Sequence, residues 1–197
     1  MIDAGDAVER LKGGGALSRQ DLNDIKEQLS EQSPVDVYNL VRALALAAPA
    51  SADNVALVAR FLDESQDDWD LQGVIYALCH YWKLTGQYLG TLQGLLPPEK
   101  WRTHSSSATA AFSALGVYIN ETKDAAICRY LLEIMEQDLS MASSGDARFA
   151  FEHLAACYAA LDRGVRGKPA VVEQHKFKAL SDIRPEVVKQ ARVIAGV

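Results

Sequence analysis

Cysteine, histidine and basic charge are scarce in this chain, and each shortage narrows what it can be. Three cysteines in 197 residues, Cys79, Cys128 and Cys157, are odd in number and far apart, and no CxxC occurs. This excludes a disulfide scaffold. Their apolar helical surroundings read as reduced core thiols of a cytoplasmic protein. Only four histidines are present, at 80, 104, 153 and 175. His153 and Cys157 share a helical face at i and i+4, but two ligands do not make a zinc site. Basic charge is also short: 20 Lys and Arg stand against 26 Asp and Glu, a net charge of −6. That disfavours a general grip on nucleic-acid phosphates or anionic lipid. The longest apolar run, ALALAAPA, is too short and too proline-broken to span a membrane. The opening MIDAGDAVERLKGGG lacks the apolar stretch of a signal peptide.

Catalytic signatures are missing as well. Gly13-Gly14-Gly15 has no following GKS or GKT and no preceding strand, so it is no phosphate loop. No GxSxG, HExxH or kinase-like set occurs. The acids Asp63, Glu64, Asp67, Asp68 and Asp70 lack the spacing of a calcium loop. They read as a solvated turn with helix caps, or as an acidic patch for a basic partner. No cofactor and no metal is implied. Period-2 alternation and hairpin turns are absent too, which leaves an all-α chain.

Helical spacing is what fills the sequence. A weak helix at 3–12 ends in the glycine joint, and Ser18 caps a helix carrying Leu22, Ile25 and Leu29. Ser33-Pro34 predicts a helix start, running to about Ala48. Ser51 or Asp53 opens the next helix, and Asp67 or Asp68 opens one that ends at Thr85-Gly86. Shorter and longer helices follow at 88–96, from 105–107 to 120, from Thr122 to about 138, and from Asp146 to about 162. Ser181 caps a last helix with Pro185 in its first turn, where proline is tolerated. Hydrophobic residues are 49 % of the chain, enough for a sizeable core.

These helices repeat. Ala43-Leu44, Ala77-Leu78, Ala114-Leu115 and Ala155-Ala156 each fall mid-helix, at separations of 34, 37 and 41 residues. The helices before three of them share apolar ends at Phe61-Leu62, Leu95-Leu96 and Leu131-Leu132. A helix pair recurring at this interval is the signature of an α-solenoid, in which each pair covers the next one's apolar face. The stretches VALVARFLDESQDDWDLQGVIYALCHYW, ATAAFSALGVYI and AICRYLLEIMEQDLSMASSGDARFAFEHLAACYAAL resemble HEAT-like repeats. Gly145–Arg148, GDAR, fits that family's Asp-turn-Arg feature, whereas Gln72 stands where an Arg is common. The resemblance implies antiparallel helix pairs stacked as a short solenoid. Its parts are an N-terminal helix and joint at 1–17, four pairs at 18–162, and a loop with a capping helix at 163–197.

On the helix opening at Asp67, Leu71, Val74, Ile75, Leu78 and Trp82 form one apolar face. Trp69, Gln72, Tyr76, His80 and Lys83 form a second, amphipathic stripe. Cys79 and His80 point about 100° apart around a helix and do not make a nucleophile–base pair. The HEAT resemblance implies that the second helix of each pair lines the concave surface. That adds Tyr38 and Arg42, then Thr109, Ser113 and Asn120, then Arg148 and Glu152. Rings with Arg and a few polar groups are a common binding composition.

Two functions compete. One is a non-catalytic protein-binding scaffold that takes a basic partner on the stripe and on Asp67, Asp68 and Asp70. Bacterial immunity proteins that neutralise toxins are one such class, also small, acidic and helical. Charge supports it: residues 1–70 hold 14 acids and 6 Lys/Arg. The other is an enzyme acting on nucleic acid, similar to HEAT-like DNA glycosylases, using Trp69, Tyr76, Trp101, Asp70 and Arg148. The basic segment from Arg163 to Arg192, with 8 Lys/Arg against 3 acids, speaks for it, and the overall charge against it.

Overall fold

Local signals become helices largely where the spacing places them. The computed structural model describes residues 2–62, 67–101, 103–142, 147–167 and 183–197, with backbone alone at 141–142 and 147–150. Among the described residues every regular element is helical. None of those helices is long and apolar enough to cross a membrane. Internal contacts divide the chain into two units, Met1–Gln87 and Tyr88–Val197.

The first unit contains α1 (Ala4–Lys12), α2 (Arg19–Ser30), α3 (Val37–Ala47), α4 (Ala52–Ala59) and α5 (Asp68–Ile75). Ser18 and Asp21 form a reciprocal capping box: Ser18 Oγ accepts from the Asp21 N–H, and the Asp21 carboxylate from the Ser18 N–H. The helix expected to start at Ser33-Pro34 starts instead at Val37. Asp36 takes a left-handed φ of 58° and its carboxylate accepts from the Asn39 N–H, which makes it the N-cap. α3 is the hub of this unit. It packs on α1, α2 and α5, and Leu40, Val41, Ala43 and Leu44 on it are fully buried.

α5 passes without a break into a π-helical stretch, Tyr76–Tyr81. The wide turn is closed by the Trp82 N–H on the Ala77 carbonyl (3.1 Å) and the Leu84 N–H on the Leu78 carbonyl (2.9 Å). Lys83 ends it at a left-handed φ of 61°. This long segment clamps both ends of α3. At one end the Asp70 carboxylate accepts from the Tyr38 N–H at 3.1 Å; at the other the Trp82 indole N–H donates to the Ala48 carbonyl at 2.9 Å. The segment therefore runs beside α3 in the same direction. The expected apolar face, Leu71, Val74, Ile75, Leu78 and Trp82, is the buried one.

The second unit holds α6 (Leu89–Gly94), α7 (Ser105–Thr122), α8 (Ala125–Ala142), α9 (Ala147–Arg166) and α10 (Pro185–Ala195). Thr122 ends α7 rather than capping α8. Lys123 turns left-handed and the Asp124 carboxylate accepts from the Ala126 and Ile127 N–H groups. α9 folds back antiparallel on α8, pairing His153 with Asp138 and Cys157 with the Leu131 carbonyl. It also packs closely along α7. There a Cβ on Gly116 would stand 2.6 Å from the Ala160 carbonyl oxygen. α10 docks on α8 and α9, with the Arg129 guanidinium donating to the Ala195 carbonyl at its C-terminus (2.7 Å). The expected caps Asp146 and Ser181 lie outside the described residues.

Candidate functional site

Three physical constraints build the face of α3 and α5. Gly73 comes first. A Cβ there would stand 2.8 Å from both the Cα and the carbonyl oxygen of Tyr38. Only hydrogen at that position lets the two helices approach this closely. Asp70 is second: it holds the Tyr38 N–H and so fixes the first turn of α3. The π-helical stretch is third. It carries Tyr76 and His80, whose rings lie 5.1 Å apart at a tilt of 43°.

The outcome is a continuous ribbon of rings around one guanidinium. Trp69 meets Tyr38 edge to face, with ring centroids 6.0 Å apart and planes at 90°. Arg42 lies over the Tyr38 ring at 4.6 Å and near the Tyr76 ring at 6.0 Å. An edge-to-face aromatic pair contributes about 0.5–1.5 kcal/mol beyond its buried area, and a partly desolvated cation–π contact about 0.5–2 kcal/mol. These contacts hold the ribbon in place. Trp69 is nevertheless 59 % exposed. Of the large apolar side chains left in solvent among the described residues, it is the only aromatic; the others are Val35, Val193 and Val197.

Carboxylates rim this ribbon. Asp67 is exposed and caps α5, accepting from the Trp69 N–H at 2.9 Å. Asp70 is partly buried. Its burial raises its pKa above the ordinary 3.8, and the neighbouring Asp67 and Asp36 charges push it the same way against the Tyr38 hydrogen bond. Asp67 and Asp36 thus both disfavour the charge on Asp70, and a positive charge from outside relieves that repulsion. Residues 1–87 carry 14 acids against 7 Lys/Arg, so the wider field has the same sign.

Five of the sequence-derived candidates come together directly: Tyr38, Arg42, Trp69, Tyr76 and His80. Gln72 and Asp68 sit half-exposed on the same segment, and Lys83 is exposed at its left-handed end. Arg148 and Glu152 belong to α9 in the second unit; Glu152 is exposed, and only the backbone of Arg148 is described. Ser113 already accepts a hydrogen bond from Arg163 at 2.7 Å. Sequence reasoning missed Gly73, whose signal was a lone glycine inside an apolar helical pattern.

His153 proves to be a buried staple. Its Nδ1 lies 2.6 Å from Asp138 Oδ2 and its Nε2 lies 2.7 Å from the Leu96 carbonyl oxygen. A carbonyl only accepts, so Nε2 carries a hydrogen. Trp101 and Phe112 pack edge-on against the ring. His153 is 1 % exposed and Asp138 is fully buried, which leaves no route for a substrate. The thiols are equally closed. Burial pushes Cys79 and Cys128 up to about 11 and Cys157 well above its usual range. Among the described residues no group of three His, Cys, Asp or Glu side chains is arranged to hold a metal ion.

Compared with protein-family models, curated proteins and solved structures, the chain matches none.

Proposed function

We propose that this chain is a non-catalytic protein-binding module whose recognition face is the Trp69–Tyr38–Arg42–Tyr76–His80 ribbon with its carboxylate rim. One observation carries the reading. An exposed tryptophan is locked edge-on to a second ring beside an arginine, on a surface with an excess of carboxylates. Trp, Tyr and Arg are the residues that dominate binding hot spots, and rigid rings lose little entropy when a partner closes on them. The rim selects a basic partner and speeds its approach. An immunity-type inhibitor that neutralises a basic protein fits this chemistry; that step is an analogy of size, charge and helicity.

The stacking itself reads as a short HEAT-like solenoid. Its support is local: α3 and the α5 segment run in parallel with partners 34 residues apart, Arg42 with Tyr76 and Ala48 with Trp82. That equals the spacing of the Ala43-Leu44 and Ala77-Leu78 repeats. Helices packing on their second neighbours, as α1 with α3 and α7 with α9, fit the same scheme.

Affinity capture from the source cell at low and moderate salt, comparing the wild type with Trp69→Ala and with Asp67→Asn/Asp68→Asn, tests the reading. The expected result is one stoichiometric basic protein, lost with Trp69→Ala and captured more slowly without the two charges. Asn still caps a helix, so the double variant keeps α5. A partner retained equally by all three proteins overturns the reading. So does recovery of nucleic acid alone.

A further inference from the structure

Arg42 is a half-buried arginine held by rings and not by a polar partner. Among the described residues its guanidinium forms no hydrogen bond and no ion pair. Its contacts are the rings of Tyr38 and Tyr76 and a distant electrostatic pull on Glu9. Its Nε is shut off from solvent without a hydrogen-bond partner, while the residue as a whole is only half-buried. The terminal nitrogens are therefore the end of the group that stays open. A cation sits over the Tyr38 ring and within reach of the Tyr76 ring, and is left with an unfilled donor edge. Among the described residues, Arg163 is half-buried like Arg42 and donates to Ser113, and even the more exposed Arg60 and Arg166 find acceptors, the Leu29 and Glu31 carbonyls and the Asp162 carboxylate.

We propose that Arg42 is the receptor for a carboxylate, an Asp or Glu side chain carried by the partner, which docks end-on against its two terminal nitrogens. Guanidinium and carboxylate match as a pair of parallel charge-assisted hydrogen bonds. Tyr38 and Tyr76 hold the planar fork in place, so little freedom is lost on binding. This inference rests on the reading of the ribbon as a protein-binding face and adds a signature for the partner. Its contact surface places one acid at the centre, opposite Arg42, inside a ring of Lys and Arg that meets Asp67, Asp68 and Asp70. A uniformly basic surface lacks that central acid.

The test uses the full chain and two capped peptides, Ac-Gly-Ser-Glu-Ser-Gly-NH2 and its Gln twin. The arginine side-chain Nε–Hε resonances are followed by NMR, with Arg42 assigned from Arg42→Lys. The Glu peptide is expected to move the Arg42 resonance in a saturable way, with affinity at least about tenfold above that of the Gln peptide, and added salt weakens the effect. Arg42→Lys keeps the charge but not the fork, and its Trp69 indole signal is expected to lose the difference between the peptides. Equal responses to the two peptides, or none, overturn the inference. The two ideas separate cleanly. A partner lost with Trp69→Ala, together with an Arg42 signal blind to the Glu peptide, keeps the binding face and removes the carboxylate receptor. An Arg42 signal selective for Glu, with no partner dependent on Trp69, keeps the receptor and removes the protein-binding reading.

Discussion

Changing Gly73 to Ala sets two physical effects against each other with opposite signs. Helix propensity favours alanine over glycine in a helix interior by about 0.5–1 kcal/mol, so a free-standing helix gains. Packing says the reverse. The added Cβ would meet the Tyr38 Cα and carbonyl oxygen at 2.8 Å, about 0.6 Å inside the 3.4 Å where ordinary contact begins. Both atoms are backbone, so neither rotates away. The helices must part, at the cost of Leu71, Val74 and Ile75 packing against α3. Overpacking of this kind costs about 1–3 kcal/mol, which exceeds the propensity gain. Gly90 in α6 is the control, because nothing lies within 4 Å of its Cβ position. Urea unfolding followed by circular dichroism reads both. Gly73→Ala is expected to lower the midpoint by roughly 0.5–1.5 M, and Gly90→Ala to raise it slightly. On the proposed binding reading, the same Gly73→Ala protein is expected to hold a partner less well, since Tyr38 moves with α3. If Gly73→Ala matches or exceeds wild-type stability, the close approach of α3 and α5 is wrong, and with it the geometry of the ribbon.

Other expectations follow from the buried groups. Asp138→Ala leaves the His153 Nδ1 without its partner in a dry site and is expected to cost about 1–3 kcal/mol; a double-mutant cycle with His153→Ala recovers much of that as coupling, and additive losses would remove the staple. Native protein at pH 8 is expected to react with a thiol reagent at none of its three cysteines and at all of them in denaturant, and rapid labelling of the folded chain contradicts the burial of Cys79, Cys128 and Cys157. Asp70 has a raised folded-state pKa, so the folded chain holds that proton longer than the unfolded one. Its penalty is absent below the ordinary 3.8 and complete once pH exceeds the raised value. Asp70→Asn is therefore expected to be more stable than wild type at pH 7, by under about 1 kcal/mol, and equal to it in acid. A less stable variant at pH 7 means that the two helix N-termini beside Asp70 outweigh its burial and repulsion.

Sequence periodicity carried the helices and the register of α3 against the α5 segment. The 34-residue spacing of Ala43-Leu44 and Ala77-Leu78 reappears as Arg42 beside Tyr76 and as Ala48 bonded to Trp82. Two parallel helices in contact at a constant offset bring equivalent positions side by side, so a stripe read along one helix points to its neighbours on the other. Other features depend on contacts that no local pattern encodes. Asp36 became the cap of α3 because its side chain reaches Asn39 while Asp70 serves Tyr38, and the second of these donors is served from 32 residues away. His153 paired across the α8–α9 hairpin with Asp138 and not along its own helix with Cys157. The π-helical turn keeps the apolar face that an α-helix predicts, which hides it from any periodicity test.

On the proposed binding reading, these origins decide how the acidic residues are to be probed. Read as a run of charge, Asp67, Asp68 and Asp70 look interchangeable. In the fold they do three different things: Asp67 caps α5 from solvent, Asp68 lies half-exposed in its first turn, and Asp70 holds the N-terminus of another helix. Reversing all three at once removes the rim charge and also releases Tyr38, on which both Trp69 and Arg42 rest. Lost binding in that triple variant says nothing about electrostatic steering. Neutralising Asp67 and Asp68 alone leaves the ribbon in place, so a fall in on-rate there with little change in off-rate isolates the field. Asp70→Asn keeps an acceptor for the Tyr38 N–H, so its on-rate should fall with the other two while the ribbon survives. Asp70→Ala removes the acceptor as well and is expected to raise the off-rate. The difference between those last two variants measures how much of recognition depends on where Tyr38 is held.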